Sequence, residues 1–245
     1  MELKSIIFFS FLLLSQICKG NYSENDTLNV LAINGLNIRM AMNGGSEKVG
    51  NIKYGESIII KNTFNFSHKD TIESRTGNWV KISYKEKTGF VFDGYLSKLP
   101  VPKLIDSEES EPYPRMRNYL SSNFENVRKP IKIIEPYFDL DGKDGEGFYV
   151  SVWTHNLKLK EKGGYEWFDY SFYFEKTRFA EVISLFEIFI FQSKGYKAEY
   201  KKSIRSYNPS NSLISKSRKN SEIKVFDFTL TDGIRSKTLT YSGGG

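Results

Sequence analysis

The sequence has little of what metal and cysteine chemistry requires. Its 245 residues include one cysteine, Cys18, and two histidines, His68 and His155. Beyond residue 18, disulfides, Cys-ligated zinc and cysteine nucleophiles are therefore excluded. Neither histidine has a partner at the spacing of a zinc site or a general base, so we expect both to be ordinary loop or strand residues.

Recognisable catalytic motifs are lacking as well. The chain has no serine-nucleophile elbow, no phosphate-binding glycine loop and no dinucleotide fingerprint. We therefore expect no cofactor. A pair of Asp or Glu side chains for glycoside cleavage stays open, because such carboxylates need not be close in sequence.

Apolar runs of membrane length are lacking, and the longest run near the N-terminus is short. Lys4 precedes the nine apolar or small residues 6–14. This pattern is typical of a signal peptide, for which we expect residues 1–20, with cleavage before Asn21. The alternative is lipidation of Cys18. Either route predicts an exported protein, periplasmic or associated with the cell envelope.

Positive charge is in excess: the formal net charge is +6 and the isoelectric point is about 9.1. An exported chain seldom meets nucleic acid, so anionic envelope polymers or lipid headgroups are the expected partners of this charge. Between residues 194 and 220 a basic stretch is a candidate patch for such a polymer, and its alternative is the solvated face of an edge hairpin. The candidate residues are Lys197, Lys201, Lys202 and Arg205.

A series of short motifs in the first half of the chain resembles the bacterial SH3-like (SH3b) domain. In order, they are Gly35-Leu36-Asn37-Ile38-Arg39, Lys53-Tyr54-Gly55-Glu56, Asn78-Trp79-Val80-Lys81-Ile82, Gly89-Phe90-Val91 and Gly94-Tyr95-Leu96. The resemblance implies a small β-barrel over residues 28–99 that binds a cell-wall peptide or another envelope component. Its groove would be bordered by Phe64, Phe66, Trp79 and Tyr95. The alternative for Trp79 and Tyr95 is a place in the core of the barrel. The connection 62–77 is longer than usual in such domains.

The other segments predict a second, β-rich (α+β) domain. Residues 21–27 are a polar leader, 100–113 a linker, and 114–245 a domain with one short helix at Arg115–Asn126. Residues 179–191 fit one face of a helix, but their aromatic and β-branched content favours a long hairpin that continues to residue 200. The segment 223–241 predicts a second hairpin that turns at Asp232-Gly233.

One acidic segment has two interpretations. Four carboxylates within eight residues are typical of calcium loops, yet the spacing of an EF-hand is not met, and a solvated turn is the alternative. The candidate ligands are Asp139, Asp141, Asp144 and Glu146.

These patterns together predict a mainly β, two-domain, non-catalytic envelope protein of undefined oligomeric state. The alternative is a hydrolase of an envelope polymer, with Asp or Glu side chains and His155 in the second domain.

Overall fold

Two antiparallel β-sheets and two α-helices make up the described part of the chain. This computed structural model describes residues 22–62, 69–104, 112–134, 147–163, 167–190, 221–225, 228–232 and 237–244. The predicted mainly β class is confirmed.

The first sheet is formed by residues 27–97 and has the strand order β3-β2-β7-β6-β4-β1-β8, with β5 paired to β6. Its strands are β1 (Thr27–Val30), β2 (Leu36–Arg39), β3 (Lys48–Ile52), β4 (Ser57–Asn62), β5 (Lys69–Ile72), β6 (Arg75–Tyr84), β7 (Lys87–Phe92) and β8 (Leu96–Ser97). A 3₁₀ turn, Asp93–Tyr95, joins β7 to β8.

Buried and more exposed side chains alternate along the strands of the first sheet. In β2, Leu36 and Ile38 are buried while Asn37 and Arg39 are half-buried, and β6 buries Val80 and Ile82 on either side of exposed Lys81. A period of two sends alternate side chains to one face. The inward residues form a core of their own around Ile38, Ile52, Ile60 and Ile82.

The second sheet has the order β13-β14-β15-β12-β11-β10-β9. Its strands are β9 (Asn126–Ile134), β10 (Gly147–Trp153), β11 (Leu157–Gly163), β12 (Trp167–Phe174), β13 (Ser221–Val225), β14 (Phe228–Asp232) and β15 (Lys237–Gly244). Strand β11 is not among the predicted elements. Leu157 and Leu159 point into the core, and Lys158 and Lys160, which alternate with them, occupy the opposite face.

The expected hairpin over 223–241 is wrong in detail. Two strands replace its first arm, since β13 pairs with β14 and β14 pairs with β15. Asp232 lies opposite Lys237, so four residues connect β14 to β15 and Asp232-Gly233 is not a two-residue turn.

Two helices pack against the second sheet. Helix α1 (Pro112–Asn123) lies close to the predicted position of the short helix. The preference for a hairpin at 179–191 is wrong, because Phe179–Ile190 is a helix, α2. It contacts α1, β15, β6 and the 3₁₀ turn, so the first sheet covers one side and the second sheet another. A helix enclosed in this way is apolar around most of its circumference, so its composition resembles that of a buried strand.

The core of the second sheet reaches into the first. Leu31 and Leu99, from the loops that flank the first sheet, are buried in the same cluster as Phe186 of α2 and Phe172 of β12. The connection after Leu99 is held from both sides: Tyr119 of α1 donates to the Pro100 carbonyl (2.8 Å) and Tyr54 donates to the Pro102 carbonyl (2.6 Å).

Within the described segments, none of the helices has the length and apolar character needed to cross a membrane.

Candidate functional site

A cavity of about 390 Å³ lies between the first sheet and α2. The loop that leads from β1 into β2 forms one side of it through residues 32–37, together with Arg39 and Gly44. The β5–β6 hairpin also lines it, through Asp70, Ile72 and Glu73. Glu187 is the lining residue that α2 contributes. We call this space the sheet–helix cavity.

Aromatic rings line one wall of the sheet–helix cavity. Trp79 and Phe92 meet with ring centroids 5.8 Å apart, and Phe92 meets Tyr95 edge to face at 6.1 Å. Trp79 is only 3% exposed, so it belongs to the packed interior and presents little more than an edge to the cavity. Phe92 is buried as well and Tyr95 is half-buried, so these rings give the cavity a small apolar surface.

Carboxylates line the neighbouring wall, and hydrogen bonds hold two of them in place. Asp70 accepts from the indole N–H of Trp79 (3.0 Å). Glu73 accepts from the hydroxyl of Tyr95. Burial raises the pKa of Tyr95, with the hydrogen bond to Glu73 acting in the same direction, so Tyr95 remains a neutral donor. The third carboxylate is Glu187, from α2.

Arg75 is buried behind the lining residues and contacts both an aromatic ring and a carboxylate of the lining. Its side chain is 0% exposed and donates from Nε to Ser184 Oγ (2.9 Å). It is ion-paired with Glu187 and, at 3.7 Å, with Glu73. The guanidinium also lies 4.6 Å from the centre of the Tyr95 ring. A buried guanidinium is tolerated only when its donors are satisfied, and here α2 supplies two of the acceptors.

A second buried cluster fixes the start of α2 against the 3₁₀ turn. Arg178 pairs with Asp93 (3.0 Å) and Glu181 (2.7 Å), and it donates to the Leu96 carbonyl (2.7 Å). Burial disfavours the charge of Arg178, but the two carboxylates outweigh this and raise its pKa. Asp93 is fully buried and also accepts from the Tyr22 hydroxyl. The position of Glu187 in the cavity wall therefore depends on charged contacts between α2 and the first sheet.

A smaller cavity of about 230 Å³ lies on another part of the same interface. His155, Glu175 and Glu181 are among its lining residues, which places His155 beside two carboxylates. Each carboxylate already has a cationic partner: Glu175 pairs with Lys158 and Glu181 with Arg178. Among the described residues, no group of three or more His, Cys, Asp or Glu side chains is placed to hold a metal ion.

The predicted groove residues divide into two groups. Trp79 and Tyr95 both line the sheet–helix cavity. Phe64 and Phe66 lie outside the described residues. The same holds for Cys18, for the acidic segment (Asp139, Asp141, Asp144 and Glu146) and for the basic patch (Lys197, Lys201, Lys202 and Arg205). The roles suggested for all of these residues stay predictions.

Sequence reasoning missed the polar row that joins α2 to the first sheet. Arg178, Glu181, Ser184 and Glu187 recur at three-residue intervals in an otherwise apolar segment, and each bonds to the first sheet or its 3₁₀ turn. Such i, i+3 positions form one inclined row on a helix surface. This regular spacing is visible in the sequence and is the signal that could have identified the helix.

Comparison with known proteins agrees with this architecture. Residues 34–97 match the family model for the bacterial SH3 domain, so the first sheet is a domain of that kind, as the motifs predicted. Bacterial SH3 domains generally bind components of the cell wall and are typical of envelope-associated proteins. No curated protein matches the chain.

Proposed function

We propose that this protein is a non-catalytic, exported binding protein of the cell envelope, and that its SH3 domain holds a short cell-wall peptide in the sheet–helix cavity. The observation that carries the proposal is the cavity itself. It combines an aromatic wall with a small number of oriented polar groups, which is typical of ligand sites. Its volume of about 390 Å³ suits a few residues of peptide.

The second domain has a defined part in this proposal. Glu187 of α2 is part of the lining, so the site draws residues from both halves of the chain. The buried pairs of Arg75 and Arg178 keep α2 in position. A preformed wall reduces the ordering cost that a ligand would otherwise meet.

The hydrolase alternative would be placed in the smaller cavity, next to His155. A general acid or base must be able to exchange a proton with the substrate. Because Glu175 and Glu181 are each ion-paired, the binding proposal has better support. Loss of turbidity of a cell-wall suspension incubated with the whole protein would favour the alternative.

The proposal is tested by filling the cavity. Gly44 lines it, and a Cβ built there meets no atom within 4 Å, so Gly44→Trp should enter the open space without a backbone clash. We expect this variant to bind purified cell walls at least about tenfold more weakly in co-sedimentation, equivalent to roughly 1.4 kcal/mol.

Gly45→Trp provides the matched control. Gly45 is the next residue in the same loop, does not line the cavity, and its added Cβ makes only an ordinary contact with Asn43 at 3.6 Å. This variant should bind walls as the unmodified chain does. Equal binding by both variants would show that the cavity is not the site, and lack of binding by the unmodified chain would remove the proposal altogether.

A further inference from the structure

We infer that the ligand of the sheet–helix cavity carries an ammonium group, so that the site distinguishes amine-bearing wall components from their acylated counterparts. This inference rests on the proposed function and specifies its ligand. It follows from the charge of the lining and the orientation of the carboxylates.

The charge of the cavity is opposite to that of the chain. Asp70, Glu73 and Glu187 line the cavity together with Arg39, which gives the lining a formal charge of −2. Arg75, buried behind Glu73 and Glu187, reduces the formal charge of the whole group to −1. The whole chain carries +6. A cleft lined by one sign of charge attracts the opposite sign even when the net charge of the protein would not.

Of the two arginines at the cavity, Arg75 pairs with two of the lining carboxylates, Glu187 and, at 3.7 Å, Glu73, whereas Arg39 is bonded within its own segment. Arg39 donates to the Ser46 carbonyl of its own loop (2.5 Å). Arg75 is 0% exposed and lies behind the wall, whereas the side chain of Glu73 is 65% exposed. A ligand that enters the cavity therefore meets Glu73 before it meets Arg75.

Neutral donors orient two of the carboxylates. Asp70 receives the indole N–H of Trp79 and Glu73 receives the hydroxyl of Tyr95, and neither contact neutralises the negative charge. Carboxylates oriented in this way accept charge-assisted hydrogen bonds from an ammonium group, which are stronger than hydrogen bonds from a neutral donor.

The test compares two preparations of the same purified cell walls, one untreated and one with its free amino groups acetylated. The whole protein should sediment with untreated walls and bind acetylated walls about tenfold more weakly, because a charge-assisted hydrogen bond contributes more than a neutral one. The difference should shrink between about 50 mM and 500 mM salt, since exposed charges are screened.

Glu73→Gln isolates the contribution of the cavity. Glutamine keeps a carbonyl that can accept from Tyr95 but removes the charge, so binding to untreated walls should fall about threefold to fivefold, as expected for a partly exposed charge pair. Binding to acetylated walls should not change. Glu47→Gln is the matched control, because Glu47 is an exposed carboxylate of the same domain that does not line the cavity.

The outcomes separate this inference from the proposed function. Equal binding to acetylated and untreated walls, or equal effects of Glu73→Gln and Glu47→Gln, would overturn the ammonium inference and leave the wall-binding proposal intact. Failure to bind either preparation would overturn both.

Discussion

At the scale of single residues, Glu56 shows how one carboxylate holds a turn of the SH3 domain. It accepts from the Lys53 backbone N–H (2.8 Å), the Lys85 ammonium (2.8 Å) and the Tyr84 hydroxyl (2.5 Å). The side-chain bonds from Lys85 and Tyr84, with the backbone bond from Lys53, lower the pKa of Glu56 from 4.5 to about 2. The β3–β4 turn is thereby tied to the β6–β7 hairpin.

The lowered pKa of Glu56 predicts a pH dependence. A carboxylate whose pKa is lower in the folded state stabilises the fold above its unfolded pKa, here 4.5, and this contribution is lost as the pH falls towards about 2. Glu56→Gln should therefore be less stable than the unmodified protein in urea unfolding at about pH 6, with a smaller difference at about pH 2.5.

Glu24→Gln serves as the control for this measurement, because Glu24 is an exposed carboxylate in the segment before β1. It should leave stability nearly unchanged at both pH values, as most surface substitutions do. A difference between Glu56→Gln and the unmodified protein that is independent of pH would contradict the argument.

At the scale of elements, α2 shows the limit of prediction from sequence. The strands of the SH3 domain were predictable because their alternation and turn residues are local signals. For α2 the composition was misleading. Phe186, Ile188 and Phe189 are residue types that favour strands, but in the folded protein they are buried on a helix that is enclosed on several sides. This burial arises only when both sheets are in place, so a short stretch of sequence does not reveal it.

Part of the candidate site was predictable for the same reason. Trp79 and Tyr95 lie in the motifs that resemble SH3b domains, and both line the cavity. Glu187 lies far from those motifs in sequence and reaches the cavity only through the packing of α2 on the SH3 domain. A contribution from a second element cannot be read from the motifs of the first.

The packing of α2 predicts a large effect at Arg75. Arg75→Met removes the partner of Glu187 and of Ser184 while filling a similar space, so both acceptors lose their donor at a buried interface. We expect a loss of about 3 kcal/mol in the free energy of unfolding, in the range for breaking a buried ion pair. Urea unfolding followed by circular dichroism would measure it.

Arg117→Met is the matched control for Arg75→Met. Arg117 of α1 is 51% exposed and lies 3.6 Å from Glu161, so its pair is a surface pair. It should contribute no more than about 1 kcal/mol. If the two substitutions have similar effects, the Arg75 cluster does not hold α2 against the SH3 domain.

At the scale of the whole molecule, the two halves share an interface that is both apolar and charged. Leu31 and Leu99 join the core of the second sheet, and Arg178 meets Asp93 across the same boundary. Apolar contacts at such an interface add stability, whereas buried ion pairs require a defined geometry. The proposed division between residues 28–99 and 114–245 thus separates two sheets that are bonded through their side chains.

This interface predicts how the SH3 domain behaves alone. Residues 22–104 keep the core around Ile38 and Ile60, and they keep Tyr22, which covers Asp93. The fragment should therefore unfold cooperatively. It should be less stable than the same domain in the whole protein, because Arg75 and Asp93 lose their partners on α2.

Trp79 is its only tryptophan and lies beside Phe92, so fluorescence in urea reports its core directly. A fragment without structure by circular dichroism would mean that the SH3 domain depends on α2 to fold, and stability equal to that in the whole protein would mean that the interface contributes nothing.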